Sequence, residues 1–255
     1  MNLVFYVAHY PVNESAQQML ATCLEGIRKY YPISECHVLY TPSQKPVDID
    51  PRLNISVGIT PILNSSVVGC FKHYIDSGST KKALFFHDSM IMKGPFNEEI
   101  LSKPFGFMWF FNRWDTHSLI SIECKDIKTI AYTYLSNVPT DWVGCFGCSL
   151  FSDRESLSKL WNVIDFPMYP SHPKRATALM DLERIIGIFA YGMGLIPQGE
   201  IVALCGDIFE QPMSFDEWYS SQSQEKVEEM FRSYSVPVVK AWCRRHIKDA
   251  QPPLS

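Results

Sequence analysis

Lys82-Ala83-Leu84-Phe85-Phe86-His87-Asp88-Ser89-Met90-Ile91-Met92 is the stretch that decides how the rest of the chain is read. Four apolar residues, Ala83 to Phe86, run into a compact polar triplet, and apolar residues resume at Met90. Such a run bounded by polar residues predicts a strand covered on both faces, the usual state of a strand in a parallel sheet. Polar groups at its carboxyl end then emerge where open α/β sheets bind their ligands. Asp88 offers a hard oxygen there, suited to Mg²⁺ or Mn²⁺ and, through the ion, to a diphosphate. Taken alone, His87-Asp88-Ser89 also reads as a plain turn, because Asp and Ser are common turn residues.

On the amino-terminal side, strands and helices alternate. Leu3 to Val7 is an unbroken apolar run, and Ala8-His9-Tyr10-Pro11-Val12-Asn13 follows as a loop. From Ser15 onward Met19, Leu20, Cys23, Leu24 and Ile27 keep one apolar face of a helix. His37 to Tyr40 and Ile55 to Ile59 predict further short strands around a Pro/Asp-rich loop over Thr41 to Pro51. Asn64 to Ile75 begins as a loop and turns helical. Its small residues let a helix start lie close to a phosphate or a base, and Lys72 adds a charge, although ordinary helix starts look the same and neither GxGxxG nor a P-loop is present. The alternation predicts an α/β fold with a mainly parallel sheet.

Downstream, Phe105 to Phe111 is aromatic and more simply core than ligand platform. Trp114 beside Asp115 and His117 would also suit the face of a sugar. In Trp142-Val143-Gly144-Cys145-Phe146-Gly147, two glycines three apart weaken a strand and predict close approach of a ligand or another backbone, or a bulge with no chemistry. Ser152-Asp153-Arg154-Glu155 reads as a helix cap with Glu155 at the capping-box position. A helix from about Ala176 to Tyr191 carries Asp181 and Glu183 near its start. Carboxylates there complement the helix dipole, or one of them serves as a general base. Two residues apart, they point to different sides of the helix, so at most one faces a site, and Asp181 is the first choice. Ile201 to Leu204 predicts a late strand, with Asp207 just past its end as a turn residue or a further metal ligand. The segment from Phe215 to Ile247 is expected to pack as helix, with a frayed terminus.

Composition sets outer bounds. With 255 residues, a net charge of −4 and a pI of about 6.0, the chain gives no reason to expect a nucleic-acid partner. Its eight cysteines lack disulfide-framework or zinc spacing and are read as reduced thiols in a cytosolic protein. The start lacks a secretory signal, and no apolar run reaches the roughly 20 residues of a membrane span. A soluble, cytoplasmic chain is therefore expected, in host cytoplasm were the source viral, with peripheral membrane contact still open.

The order of these features resembles the nucleotide-sugar glycosyltransferases of the GT-A type. A strand ends in an acidic triplet, a Trp-x-Gly-x-x-Gly stretch follows some fifty residues later, and a helix then carries Asp181 and Glu183-Arg184. The chain looks most like small bacterial and large-DNA-virus members with a His-Asp-Ser-Met and a Trp-x-Gly-Cys-Phe-Gly segment. The resemblance implies a Rossmann-like α/β fold, a mixed, mainly parallel central sheet flanked by helices. It implies one domain over residues 1–255, with a nucleotide-sugar half at 1–92, an acceptor half at 93–215 and a helical segment at 216–255.

It also implies roles. His87, Asp88 and Ser89 would take the DxD place, where acidic groups hold Mn²⁺ or Mg²⁺ against the donor diphosphate. This chain keeps only Asp88 of that motif, which leaves the metal weakly bound, shared with Asp207, or absent. His9 and Tyr10 match the first nucleotide-binding loop, and Asn64 through Lys72 the helix start over the nucleotide. Trp142, Gly144 and Gly147 match the strand bordering the acceptor, and Asp181 or Glu183 the catalytic base of inverting members. The implied activity moves a sugar from a nucleotide-diphosphate sugar to a hydroxyl of a glycan or glycoconjugate, metal-assisted and inverting. Two alternatives stand beside it. A sugar nucleotidyltransferase would want a glycine-rich basic loop, and Ala8 to Asn13 has neither Gly nor Lys. A catalytically silent nucleotide-binding module is kept open by the thinned DxD.

Overall fold

The apolar run at Ala83 is the fourth strand from one edge of a six-stranded sheet. In this computed structural model the described residues are 2–10, 14–41, 49, 51–60, 62, 65–112, 134–137, 139–171, 175–210 and 236–240. The strands are β1 (Leu3–His9), β2 (Glu35–Tyr40), β3 (Ser56–Ile59), β4 (Lys82–His87), β5 (Met90–Met92), β6 (Phe105–Phe107), β7 (Phe110–Asn112), β8 (Val143–Cys145), β9 (Leu150–Ser152) and β10 (Val238–Lys240). The helices are α1 (Glu14–Tyr30), α2 (Ser66–Ser77), α3 (Glu98–Ser102), α4 (Arg154–Val163), α5 (Met168–Ser171) and α6 (Arg175–Gly192). Strands β3, β2, β1 and β4 run parallel, and β9 lies antiparallel between β4 and β6. The sheet is mixed and mostly parallel with helices against it, the Rossmann-like arrangement expected of the GT-A type.

All seven residues of β1 are buried, because β2 and β4 cover its edges and helices cover its faces. Its side chains meet a ring cluster: Phe5 lies edge-on to Phe86, and Tyr6 stacks on Phe85 with centroids 5.5 Å apart. Such pairs add to area burial and hold the two central strands in one register.

Local chemistry accounts for two of the helix starts. Ser65 caps α2 by accepting from Val68 N at 3.2 Å, and Gly78 closes it in a left-handed conformation at φ 68°. The cap of α4 is Asp153, which accepts from Ser156 N, while Ser152 is still in β9.

Residues 88 and 89 turn the chain, and β5 pairs with β10 instead of joining the main sheet. Two expectations change. Ile201 to Leu204 is not a strand, since only Ala203 bridges to Phe107, and one apolar face buried beside β6 suffices to hold the segment. The helical reading after Phe215 fails at Val238–Lys240, where two β-branched residues after Pro237 pair antiparallel with β5. The remainder of that segment lies outside the described residues. No helix among the described residues is long and apolar enough to cross a membrane.

Helix α6 sits almost on the backbone of β8: a Cβ on Gly187 would come within 2.2 Å of the Val143 carbonyl oxygen. Gly187→Ala should therefore push helix from strand and cost about 2 kcal/mol or more, read as a lower urea midpoint at unchanged slope.

Candidate functional site

Strands β2 and β3 extend the sheet to one side of β1, whereas β4 lies on its other side. The strand order thus reverses between β1 and β4, and the crevice at their carboxyl ends is where such sheets take ligands. His9 is the last residue of β1, and Asp88 follows the last residue of β4. The two meet there. His9 Nδ1 donates to Asp88 Oδ2 at 2.7 Å, and the Tyr10 backbone N–H donates to the same oxygen at 3.1 Å. Asp88 is only 7% exposed and His9 fully buried, so each carries a polar group that burial obliges to find a partner. His9 Nε2 is also buried and has no hydrogen-bond partner among the described residues. The first turn of α2 closes this corner, with Ser66 Oγ donating to the His9 carbonyl at 3.0 Å.

A second group of residues reaches the same mouth from beyond β8. After β8 the chain makes a single 3₁₀ turn over Phe146–Cys148 in which Gly147 adopts φ 64°, a conformation glycine takes at little cost. The turn leaves both backbone polar groups of Gly147 to bond outside it. Its N–H donates to Glu183 Oε1 at 2.8 Å, and its carbonyl lies 2.6 Å from His87 Nε2. The left-handed glycine therefore ties helix α6 to the end of β4. A Cβ at Gly147 would also stand 2.9 Å from Lys240 Nζ and 3.3 Å from His87 Nε2.

Lys240 was not a sequence candidate. It ends β10 and is paired with Met90, two residues beyond Asp88, and is 8% exposed with its ammonium 4.7 Å from the Phe146 ring centre. Burial lowers its pKa to about 8, against the opposing pull of the Glu183 and Asp88 carboxylates. Burial also pushes His87 down to about 4, with the Lys240 charge adding to the effect, so the ring is neutral at pH 7. The signal for Lys240 lay in Val236-Pro237-Val238-Val239-Lys240, a β-branched run after proline that ends in a charge.

The other candidates are dispersed. Glu183 joins the crevice through Gly147, while Asp181, 4% exposed, lies where its charge helps burial raise the Tyr169 phenol. Lys72 is engaged one turn along its own helix, with Asp76 at 2.5 Å. Gly144 faces the Phe111 ring, 2.0 Å from where a Cβ would be, and Trp142 is half-buried against the core. Ser89 sits half-buried in the β4–β5 turn. Asp207 is held in its own loop, accepting from Asn112 Nδ2 at 3.1 Å and from Phe209 N at 2.9 Å. Asn64 and the Trp114, Asp115 and His117 group lie outside the described residues.

These side chains do not fit a resident divalent ion. Such an ion wants several oxygens converging on one point. Asp88 Oδ2 already takes two donors, and no group of three His, Cys, Asp or Glu side chains gathers among the described residues. Among the described residues, the positive charge at this mouth is the Lys240 ammonium. The six cysteines among the described residues are buried and free, with Cys145 and Cys148 raised by burial out of the thiolate range, so none is an activated nucleophile.

No protein-family model matches the chain, and no curated protein matches it. Among solved structures it is similar to the apo form of the glycosyltransferase GlyE of Streptococcus pneumoniae TIGR4, at 9% identity and a TM-score of 0.43, over 91% of this chain and 60% of that one. It is similar to the galactosyltransferase LgtC in complex with donor and acceptor sugar analogues, at 9% identity and a TM-score of 0.39, over 95% and 87% of the two chains. A third likeness, to 4-diphosphocytidyl-2C-methyl-D-erythritol synthase, has 12% identity and a TM-score of 0.32, over 71% and 84%. The chain spans about three fifths of the length of GlyE. These are loose likenesses of α/β architecture, and no residue role passes from them to this chain.

The neutral His87 sets a pH dependence. Its folded pKa of about 4 lies below the ordinary 6.5, so the unfolded chain binds the proton more readily. Stability from this group is complete above pH 6.5 and is lost as pH falls toward 4, on the order of 3 kcal/mol in all. Urea unfolding between pH 7 and 4.5 should show this slope in wild type and a shallower one in His87→Gln; equal slopes would mean the ring is not held neutral.

Proposed function

We propose that the chain is a glycosyltransferase that moves a sugar from a nucleotide-diphosphate donor to a hydroxyl of a glycan or glycoconjugate. The observation that carries the reading is the buried Asp88 carboxylate, bound by His9 Nδ1 and Tyr10 N where the strand order reverses. A carboxylate pinned through one oxygen at a ligand crevice presents a fixed acceptor for the hydroxyls of a ribose or a sugar. The order of sequence features shared with GT-A-type enzymes supports the same reading.

In this proposal the donor nucleotide lies across the ends of β1 and β4, and the acceptor enters beside the Gly147 turn. The acceptor oxygen attacks the anomeric carbon as the bond to the diphosphate breaks, and the electron pair leaves on the nucleoside diphosphate. Glu183 takes the hydroxyl proton. Of the two acidic candidates it is favoured, because Gly147 N–H fixes its Oε1 at the crevice while Asp181 lies toward Tyr169. A single displacement of this kind inverts the anomeric centre.

A thermal-shift screen across nucleoside diphosphates and nucleotide-sugars should find a stabilising donor, since a ligand that binds only the folded state raises apparent stability. With that donor, Glu183→Gln should lower turnover about 100-fold or more at little change in donor affinity, and by more than Asp181→Asn does. Asp88→Ala should weaken donor binding and abolish measurable transfer; wild-type rates in saturating donor would remove Asp88 from the site.

A further inference from the structure

A carboxylate repels a diphosphate unless a cation stands between them. The mouth of this crevice holds two carboxylates, Asp88 and Glu183, and both act electrostatically on one buried ammonium. We propose that Lys240 is the resident cation of the crevice, so that its ammonium, and not a divalent ion, receives the diphosphate of the bound nucleotide. The inference rests on the sugar-transfer reading for its ligand and on separate geometry for its cation.

That geometry is specific. Antiparallel pairing of β10 with β5 sets Lys240 opposite Met90, and so beside the Asp88-Ser89 turn, while Lys93 N and Gly94 N bond to the Pro237 carbonyl and hold the start of the strand. The side chain then crosses the Phe146 ring and ends beside the Gly147 turn. Gly147 has no side chain to block that end. His87, neutral and fixed on the Gly147 carbonyl, supplies no competing charge. His9 Nε2, buried without a partner among the described residues, offers a further polar atom at the same strand ends.

A buried ammonium costs a protein its hydration and persists where carboxylates compensate it. The same charge disfavours a dication close by, while a diphosphate gains from it. The thinned DxD has a physical counterpart here: two residues after Asp88 stands Met90 in place of a second acidic residue, and the buried Lys240 pairs opposite it. With the lysine present, a second acidic ligand at the position of Met90 would serve no ion.

Calorimetry on the full chain tests this, with inorganic pyrophosphate, UDP, GDP, CDP and ADP as probes, each in EDTA and in Mn²⁺. We expect the preferred nucleoside diphosphate to bind in EDTA within about twofold of its affinity in Mn²⁺. In Lys240→Met, binding in EDTA should fall at least tenfold. Added Mn²⁺ should restore part of it, because Asp88 and Glu183 are then left without the ammonium that both act on. Lys240→Arg, which keeps the charge, should retain EDTA binding. Should Lys240→Met not fold, the wild-type comparison and Lys240→Arg decide the matter. Wild-type binding seen only with Mn²⁺ would overturn the lysine proposal and leave the sugar-transfer reading standing, as would undiminished EDTA binding in Lys240→Met. Binding of no probe under either condition would overturn both.

Discussion

The double hydrogen bond that Asp88 Oδ2 receives from His9 Nδ1 and Tyr10 N joins the ends of two parallel strands that no backbone ladder joins beyond that point. Much of what surrounds it follows from the cost of burying a carboxylate, which must be offset by donors held in place. Those donors come from β1, whose register against β4 is set by the Phe5, Tyr6, Phe85 and Phe86 rings. Core packing below thus positions a polar group above. Because the anchors sit on strand ends and not on a long loop, the crevice has little freedom to change width.

The Gly147 peptide plays the matching part on the other wall. One residue bonds through both its backbone groups, its N–H to Glu183 on α6 and its carbonyl to His87 at the end of β4. This is possible only with the left-handed turn at Gly147, which rotates the peptide out of the line of β8. Charges of both signs then share a small volume: the Asp88 and Glu183 carboxylates, the Lys240 ammonium, and His87 held neutral through burial and the lysine's repulsion. The states of Lys240 and His87 depend on these neighbours, so a change at one of them would be felt as altered protonation of the lysine or the ring.

Some of this was legible in the residues. The strands at Leu3 and Lys82, the helix after Asn64 and the helix bearing Asp181 and Glu183 each show the period of their element, and all four form. The suspicion attached to Asp88 rested on its place after a doubly buried strand, a local property. The glycine pair was noticed for the right symptom, but the two causes differ: Gly144 makes room for the Phe111 ring and Gly147 supplies a backbone conformation. The pair Asp181 and Glu183 could be divided between two helix faces, yet helical spacing says nothing of which face meets the crevice. Packing of α6 on β8 decides that, and it turns Glu183 toward Gly147.

What the sequence determined by itself is the alternation of strand and helix and the presence of a polar turn at the end of an apolar strand. Periodicity and turn chemistry act over a few neighbouring residues, so they can be read along the chain. Only the tertiary structure brought Lys240 to Asp88 and Glu183. Their meeting spans about 150 positions of sequence and depends on a three-residue strand, β10, that is stable only because β5 offers it an edge. No local pattern encodes such a partner, since the energy that selects it comes from contacts that exist only once the sheet has formed.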